Sequence, residues 1–254
     1  MRRLTTATTS RWALALAALA AGLTGTTLTS TAFGASPGSQ PVRIMAVGDS
    51  ITEGVALDGT YRPYLWRALG DRGHHVDFVG DRHGIRNGED RRYRFDADHQ
   101  SWSGWRADQV GDTLAAAAAR HRPDIVLIHL GTNDINQRRS IGRAASAIEG
   151  AIRAAQVGSP DATILVAQLI GRAGYQRQTA ALNRAIARVV ATSSTPRSLV
   201  VLVDHHDRFE PKRHTRDGTH PNAAGSRLMA QRWLAAVEDA LDHPARRIPA
   251  VARR

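Results

Sequence analysis

The sequence predicts an α/β domain in which a parallel β-sheet is covered by helices on both faces. Short, mostly apolar runs alternate along the chain with longer stretches of helical periodicity. Strands that are buried on both faces have this character, and alternation of strand and helix produces parallel pairing. The chain has 254 residues, which is sufficient for one domain with a sizeable core.

Five apolar runs are predicted as buried strands of one parallel sheet. They are Val42–Val47, Val76–Val79, Ile125–Leu130, Ile164–Ala167 and Leu199–Val203. Five helices are predicted between and after them: Arg62–Leu69, Ala107–Arg120, Ile141–Gln156, Tyr175–Val190 and Ala223–Leu241. Pro123 and the Gly158-Ser159-Pro160 turn are expected to end the second and third helices, because proline and glycine interrupt helical structure.

One segment, from Gly80 to about Trp105, has no clear periodicity and is predicted to be a long loop. Compact domains rarely keep so long a loop without a use. Its final part carries two tryptophans beside a glycine. We therefore expect this loop to form a wall of the functional site.

The amino terminus has the layout of a signal peptide: arginines precede the apolar run Trp12–Leu23, and small residues follow it. We predict a signal peptide over residues 1–34, a linker over 35–41, the domain over 42–242 and a basic tail over 243–254. The apolar run is shorter than the roughly 20 residues that span a membrane. The expectation is a secreted protein with no stable membrane anchor after cleavage.

The composition excludes several kinds of covalent and metal chemistry. The chain has no cysteine, so disulfides, thiol nucleophiles and cysteine-ligated metals are excluded. Its formal net charge is +11, but the arginines are scattered and no nucleic-acid-binding motif accompanies them. We expect no nucleic-acid partner.

Polar motifs follow four of the predicted strands, at the edge where an open parallel sheet binds its ligands. They are Gly48–Gly54, the long loop as far as Gly104, Gly131–Asp134 and Asp217–Asn222. Because these motifs share one edge, residues far apart in sequence are expected to converge.

The converging residues supply the parts of a serine hydrolase. A serine hydroxyl needs an adjacent base, usually an imidazole that a carboxylate orients. Ser50 is the candidate nucleophile, His220 the base and Asp217 the orienting carboxylate. The oxyanion of the reaction needs preorganised donors, for which the candidates are the backbone amides of Ser50 and Gly104 and the side-chain amide of Asn133.

At these residues the sequence resembles the SGNH, or GDSL, hydrolase family, block by block and in the family's order. The matching blocks are Gly48-Asp49-Ser50, Gly104, Gly131-Thr132-Asn133-Asp134 and Asp217-Gly218-Thr219-His220-Pro221. The resemblance implies a flavodoxin-like three-layer α/β/α sandwich and ester hydrolysis without a metal or other cofactor.

A closer likeness is to carbohydrate esterase family three, the acetyl xylan esterases. It is carried by Thr60–Leu65 and Asp98–Arg106, although Gln100-Ser101-Trp102 stands where a glutamate-glycine pair is expected. This resemblance implies a small acyl ester, such as acetyl, on a polysaccharide such as xylan. Trp102 and Trp105 are candidate sugar contacts, or they pack the loop onto the domain.

Two other functions stay open at this point. One is a lipase or lysophospholipase, which needs a long apolar acyl groove, and the other is a non-catalytic polysaccharide-binding protein on the same scaffold. A metal site at Asp96, Asp98 and His99 is disfavoured, because hard cations need more oxygen ligands than this run provides. Of the remaining histidines, His129 is expected in the core and His205 in a solvated loop.

Overall fold

A computed structural model describes residues 40–86 and 95–243 of the chain. These residues form an α/β domain, as the sequence predicts. The predicted signal peptide, all but the last two residues of the predicted linker, and the predicted tail beyond His243 lie outside the described residues, as does the middle of the predicted long loop.

The described residues contain one mostly parallel sheet of seven strands. They are β1 (Val42–Gly48), β2 (Val76–Val79), β3 (Arg82–His83), β4 (Asp98–Ser101), β5 (Ile125–His129), β6 (Thr163–Ala167) and β7 (Val200–Val203). The path runs β3-β4-β1-β5-β6-β7, and β2 also pairs with β1. All five predicted strands are present, and β3 and β4 are two short additions from the segment predicted as a loop.

Strand β1 lies at the centre of the sheet and pairs with three other strands. On one side it pairs in parallel with β5, from Ile44↔Ile125 to Gly48↔His129. On the other side β2 pairs with its first half, and β4 with its last residues, where Gly48 faces Ser101. The second part of the long segment therefore enters the sheet beside the carboxyl end of β1.

The described residues contain eight α-helices. They are α1 (Ser50–Glu53), α2 (Arg62–Asp71), α3 (Ala107–His121), α4 (Thr132–Asn136), α5 (Ile141–Gly158), α6 (Gln176–Ser193), α7 (Pro211–His214) and α8 (Ala223–Asp242). The five long ones match the predicted helices to within about three residues at each end. The three short ones, α1, α4 and α7, lie in the connections that follow β1, β5 and β7.

The helices form two layers, which gives the predicted three-layer sandwich. Helices α3, α5 and α6 pack against one face of the sheet, with residues such as Val126 and Ile128 of β5. Helices α2 and α8 cover the other face, against the alternate residues Ile125 and Leu127. Within the described ranges, no helix is both long and apolar enough to cross a membrane.

Candidate active site

Ser50 lies at the turn from strand β1 into helix α1. Asp49 caps this helix, and its Oδ1 accepts a hydrogen bond of 3.0 Å from the N–H of Ile51. As the first residue of the helix, Ser50 has an N–H with no acceptor in that helix. Ser50 is only 7% exposed, so its hydroxyl is held in a defined position at the sheet edge.

His220 and Asp217 lie next to Ser50, from the connection between β7 and α8. The Ser50 Oγ is 2.9 Å from His220 Nε2, and His220 Nδ1 is 2.6 Å from Asp217 Oδ2. An ionised carboxylate only accepts hydrogen bonds, so the ring proton belongs on Nδ1 and leaves Nε2 as the acceptor for the serine proton. This is the arrangement that a serine nucleophile requires.

Asp217 is fixed by the loop that carries it. Its Oδ1 accepts from the backbone N–H groups of Thr219 and His220, at 2.9 and 2.7 Å. Burial raises the pKa of Asp217, but the hydrogen bonds from the His220 ring and from these N–H groups lower it more, so it lies below its ordinary value. The carboxylate is therefore ionised at neutral pH and stabilises a protonated imidazole.

Asn133 approaches from helix α4, directly after β5. Its Nδ2 donates to the Trp105 carbonyl at 2.9 Å and to Asp49 Oδ2 at 3.3 Å. Gly131 caps this helix at φ +120°, where only glycine is relaxed, and a Cβ there would press into Leu182. The glycine therefore permits the turn that brings Asn133 to the sheet edge.

Gly104 is held at the site by a buried glutamate that sequence reasoning missed. Glu53 of helix α1 is 5% exposed, and its Oε2 accepts from the backbone N–H of Ser103 at 2.7 Å and from the Ser103 hydroxyl. Its Oε1 accepts from Arg82 at 3.3 Å. Gly104 has φ +81°, which aims its peptide in a direction that other residues rarely adopt.

Arg62 is a second residue that sequence reasoning left without a role. It is fully buried and donates to the carbonyl oxygens of Thr52, Glu53, Gly84 and Ala97, over distances of 2.5 to 2.9 Å. Burial lowers the pKa of its guanidinium to about 10, so it is charged at neutral pH. Arg62 thus connects helix α1 to Gly84 in the first described part of the long segment and to Ala97 in the second.

Asp49 lies at the centre of the site and is fully buried. Burial raises its pKa to about 6, against the N–H of Ile51 and the charges of His220 and Arg172, which lower it. Arg172 itself is 2% exposed, and its Nη2 donates to Asn136 Oδ1 at 2.6 Å and to Thr219 Oγ1 at 3.3 Å. It connects the Asn133 helix to the His220 loop.

Trp102 and Trp105 stack on each other at the edge of the site. Their ring centroids are 4.8 Å apart with an interplanar angle of 10°, and both are partly buried against the core. The guanidinium of Arg82 lies 5.9 Å from the Trp102 ring centroid. The pair therefore anchors the loop to the domain and leaves part of its surface toward the solvent.

The side chains of Asp96, Asp98 and His99 do not converge. Asp96 accepts from the N–H of Phe78, Asp98 lies 2.6 Å from the His83 ring, and His99 lies 2.6 Å from the Ser101 hydroxyl. No group of three or more potential metal-ligating side chains occurs among residues 40–86 and 95–243.

The expectation for one histidine was wrong. His205 is fully buried rather than solvated, and its ring centroid is 4.6 Å from that of Trp233. His129 is buried, as predicted, with its ring 6.1 Å from that of His205. Burial lowers the pKa of both imidazoles, so both are neutral core residues and neither competes with His220.

Comparison with known proteins identifies the family. Residues 46–228 match the model of the GDSL-like lipase/acylhydrolase family. The chain belongs to this family. The match covers both ends of the site, from the β1–α1 turn that carries Ser50 to the loop that carries His220.

Three solved structures of esterases are similar to this family member over nearly their whole length. A carbohydrate esterase of family 3 from Talaromyces cellulolyticus is 29% identical, with a TM-score of 0.72, and the match covers 79% of this chain and 98% of that one. The family 3 carbohydrate esterase of Clostridium thermocellum is 26% identical, with a TM-score of 0.70, and the match covers 81% of this chain and 100% of that one. An acetyl esterase mutant with an acetate ion is 29% identical, with a TM-score of 0.71, and covers 79% and 98%.

A multidomain esterase of Ruminococcus flavefaciens is 26% identical over 220 residues. The match covers 78% of this chain but only 28% of that protein, so the chain spans a minor part of its length. The family and these neighbours support a carboxylic ester hydrolase with the SGNH fold, similar to carbohydrate esterase family 3. The resemblance stated from the sequence blocks is thereby confirmed.

Proposed function

We propose that this GDSL family member is a secreted acetyl esterase that acts on an acetylated polysaccharide such as xylan. The observation that carries the proposal is the Ser50–His220–Asp217 arrangement, with both hydrogen bonds formed, in a chain that is similar to family 3 carbohydrate esterases. Secretion rests on the signal peptide predicted over residues 1–34.

In the first half of the proposed reaction, His220 Nε2 takes the proton of the Ser50 hydroxyl while Ser50 Oγ attacks the acetyl carbonyl carbon. The new C–O bond turns the carbonyl oxygen into an oxyanion. When the intermediate collapses, the bond from the acyl carbon to the sugar oxygen breaks, and protonated His220 gives its proton to that oxygen. The products are the free sugar hydroxyl and an acetyl-Ser50 ester.

In the second half, water replaces the sugar oxygen. His220 removes a proton from the water, whose oxygen attacks the acetyl carbon. When the intermediate collapses, the bond from the acyl carbon to Ser50 Oγ breaks, His220 returns its proton to Ser50 Oγ, and the acetic acid released ionises to acetate. Asp217 keeps the His220 ring oriented in both halves and stabilises its positive charge. Every proton taken from a nucleophile returns to a leaving oxygen, so the cycle needs no cofactor to balance.

The oxyanion is proposed to be bound by the N–H groups of Ser50 and Gly104 and by Asn133. In the structure both protons of the Asn133 amide are engaged, one with the Trp105 carbonyl and one, at the longer distance of 3.3 Å, with Asp49. The weaker of these bonds is the one that the oxyanion can replace. The bond to the Trp105 carbonyl holds the Asn133 side chain at the site in advance, so only the longer bond to Asp49 is exchanged during the reaction.

The proposed acyl preference is tested with para-nitrophenyl esters of increasing chain length and with acetylated xylan, using protein that begins near Ala35. A lipase groove stabilises each added methylene by about 0.8 kcal/mol, so a lipase improves steeply from acetyl to octanoyl. We expect the highest kcat/KM for acetyl and release of acetate from the polymer. An increase of kcat/KM with chain length, or no acetate from the polymer, would overturn the substrate assignment in favour of a lipid ester.

The tryptophan pair supplies a second test of the polysaccharide substrate. Trp105→Ala removes the stacked partner of Trp102 and any sugar contact that the pair makes. We expect a greater loss of kcat/KM on acetylated xylan than on para-nitrophenyl acetate. Equal losses on both substrates would assign the pair to loop anchoring alone.

A further inference from the structure

A groove of about 640 Å³ lies beside the candidate active site and is lined by Arg106, Gln137, Arg138, Arg139, Ser140 and Arg143. Its volume lies within the roughly 300–1,000 Å³ that is typical of ligand sites. Its walls come from two places: the residue that caps helix α3, and the connection from α4 into the first turn of α5.

The groove contacts the loop that carries Gly104 and the helix that carries Asn133. Gln137 donates from Nε2 to the Gly104 carbonyl at 3.2 Å and accepts from Arg106 Nη1 at 2.6 Å. The backbone N–H of Gln137 donates to the carbonyl of Asn133 at 2.9 Å. A ligand bound in the groove would therefore be separated from Gly104 by the Gln137 side chain alone, and from Asn133 by one helical turn.

The groove carries an excess of positive charge. Asp108 forms ion pairs with both Arg106 and Arg139, at 3.0 and 2.9 Å, so one carboxylate faces two guanidinium groups. Arg138 and Arg143 are exposed, and neither has an acidic partner among the described residues. The first turn of α5 contains no acidic residue, and its cap is the neutral Ser140 hydroxyl, which accepts from the Arg143 N–H, so no negative charge offsets the positive end of that helix dipole beside the groove.

The chemistry of arginine selects the ligand. A guanidinium is planar and always charged, and it pairs with a carboxylate through two parallel hydrogen bonds. We propose that this groove binds the carboxylates of uronic acid residues carried by the acetylated polysaccharide, close to the acetyl ester that Ser50 attacks. This inference rests on the proposed function, and it narrows the substrate from a neutral to an acidic polysaccharide.

The first experiment compares two acetylated xylans of equal acetyl content, one neutral and one bearing glucuronic acid. Each exposed arginine–carboxylate pair contributes up to about fivefold in affinity, so two free arginines predict a roughly tenfold lower KM for the acidic polymer. We expect kcat to be similar for both. The advantage should decrease as salt is added, because exposed charge pairs are screened.

The second experiment removes the two free arginines together. Arg138 has φ +56°, so Arg138→Asn keeps a residue that tolerates this backbone, and it is combined with Arg143→Gln. The control is Arg122→Asn with Arg188→Gln, since Arg122 also has a positive φ of 44° and both residues are exposed. Arg122 precedes β5 and so lies at the amino-terminal ends of the strands, away from the site at their carboxyl ends. The control has the same loss of charge.

We expect the groove variant to lose the preference for the acidic polymer and the control to keep it. Both variants should hydrolyse para-nitrophenyl acetate like the wild type, since neither changes the candidate catalytic residues. Acetate release from both polymers at equal KM would overturn the groove inference and leave the proposed function intact. Equal loss of preference in the control would overturn it too, because it would show a general charge effect.

A binding measurement separates the inference from the proposed function. Calorimetry with an unacetylated glucuronic acid-bearing xylan oligosaccharide tests the groove without any ester hydrolysis. Binding by the wild type and not by the groove variant supports the inference even if neither polymer releases acetate, an outcome that counts against the proposed function alone. No binding, or equally tight binding of polyphosphate or polyglutamate, would overturn it.

Discussion

Glu53 is predicted to be a positioning residue whose loss lowers turnover without weakening substrate binding. Its Oε2 accepts two hydrogen bonds from Ser103, the residue before Gly104, and its Oε1 accepts from Arg82. A hydrogen bond to a charged group contributes about 1.5–3 kcal/mol, against about 0.5–1.5 kcal/mol for a neutral pair. The Glu53 carboxylate thus holds the Gly104 loop by several kcal/mol, more than thermal motion supplies.

Two variants grade this effect. Glu53→Ala removes all of these bonds and frees the Gly104 amide to move, and a displacement of about 1 Å costs on the order of 10²-fold in rate. Glu53→Gln keeps the shape and one acceptor but loses the charge. We expect kcat to decrease by about tenfold for Gln, one step of about 1.4 kcal/mol, and by about 10²-fold for Ala.

The assay is steady-state hydrolysis of para-nitrophenyl acetate, with circular dichroism and Tm to establish that each variant is folded. Glu149→Gln is the matched control, because Glu149 pairs with Arg153 on the exposed side of α5, where an ion pair contributes little. A folded Glu53→Ala variant with kcat within twofold of the wild type would refute the reasoning. So would a change confined to KM, since a misplaced oxyanion donor acts on the transition state.

The other predictions concern the remaining parts of the site. Ser50→Ala and His220→Ala should each lower kcat by several orders of magnitude at unchanged Tm, and a folded, active Ser50→Ala would sink the assignment. Asn133→Ala should lower kcat by roughly 10²-fold to 10³-fold, measured on para-nitrophenyl acetate; an effect on KM alone would make it a binding residue. Arg62→Met should cost about 3–5 kcal/mol in urea unfolding, because four carbonyl groups lose their donor, and a loss under about 1 kcal/mol contradicts this. Burial raises the pKa of Asp49 from 3.8 in the unfolded chain to about 6 in the folded protein. Between these two values the folded protein keeps the Asp49 proton and the unfolded chain loses it, so the free energy of unfolding decreases as pH rises through that range. The stability of the wild type relative to Asp49→Asn should decrease by about 2 kcal/mol between pH 4 and pH 7, and a pH-independent difference would contradict it.

The sheet was predictable because its strands carry a signal that depends only on burial. The five predicted strands are mostly apolar, with Arg43, Asp77 and His129 as the exceptions, and this composition is typical of strands that helices cover on both faces. Strand β4 has the sequence Asp-His-Gln-Ser, which no hydrophobic pattern indicates, although its last three residues are buried. Its burial depends on the partner strand β1 and on specific hydrogen bonds, neither of which is local to the sequence.

The residues of the site were predictable for a different reason. Ser50 and Asn133 lie in motifs that directly follow strands, and His220 lies in the connection after β7. Parallel strands bring their carboxyl ends to one edge. Glu53 and Arg62 were missed because their importance comes from burial, and charged residues are rarely buried unless they are paired. Arg172 was missed for the same reason. Their signal in the sequence was position alone, near the Gly48–Gly54 motif for the first two.

Different residues carry the proposed catalytic steps and the proposed selectivity for polymers, so the two can be measured separately. Ser50, Asn133 and Asp49 are buried at the sheet edge, and each is held by the turn that follows a central strand. The residues that can meet a polymer, Trp105 and Arg143 among them, come from the long segment and from the start of α5. Substitutions in the first set should change kcat on every ester, whereas substitutions in the second should act mainly on polymers and less on small esters. A shift of substrate within this scaffold therefore requires changes only in the second set, because the Ser50–His220–Asp217 arrangement depends on none of those residues.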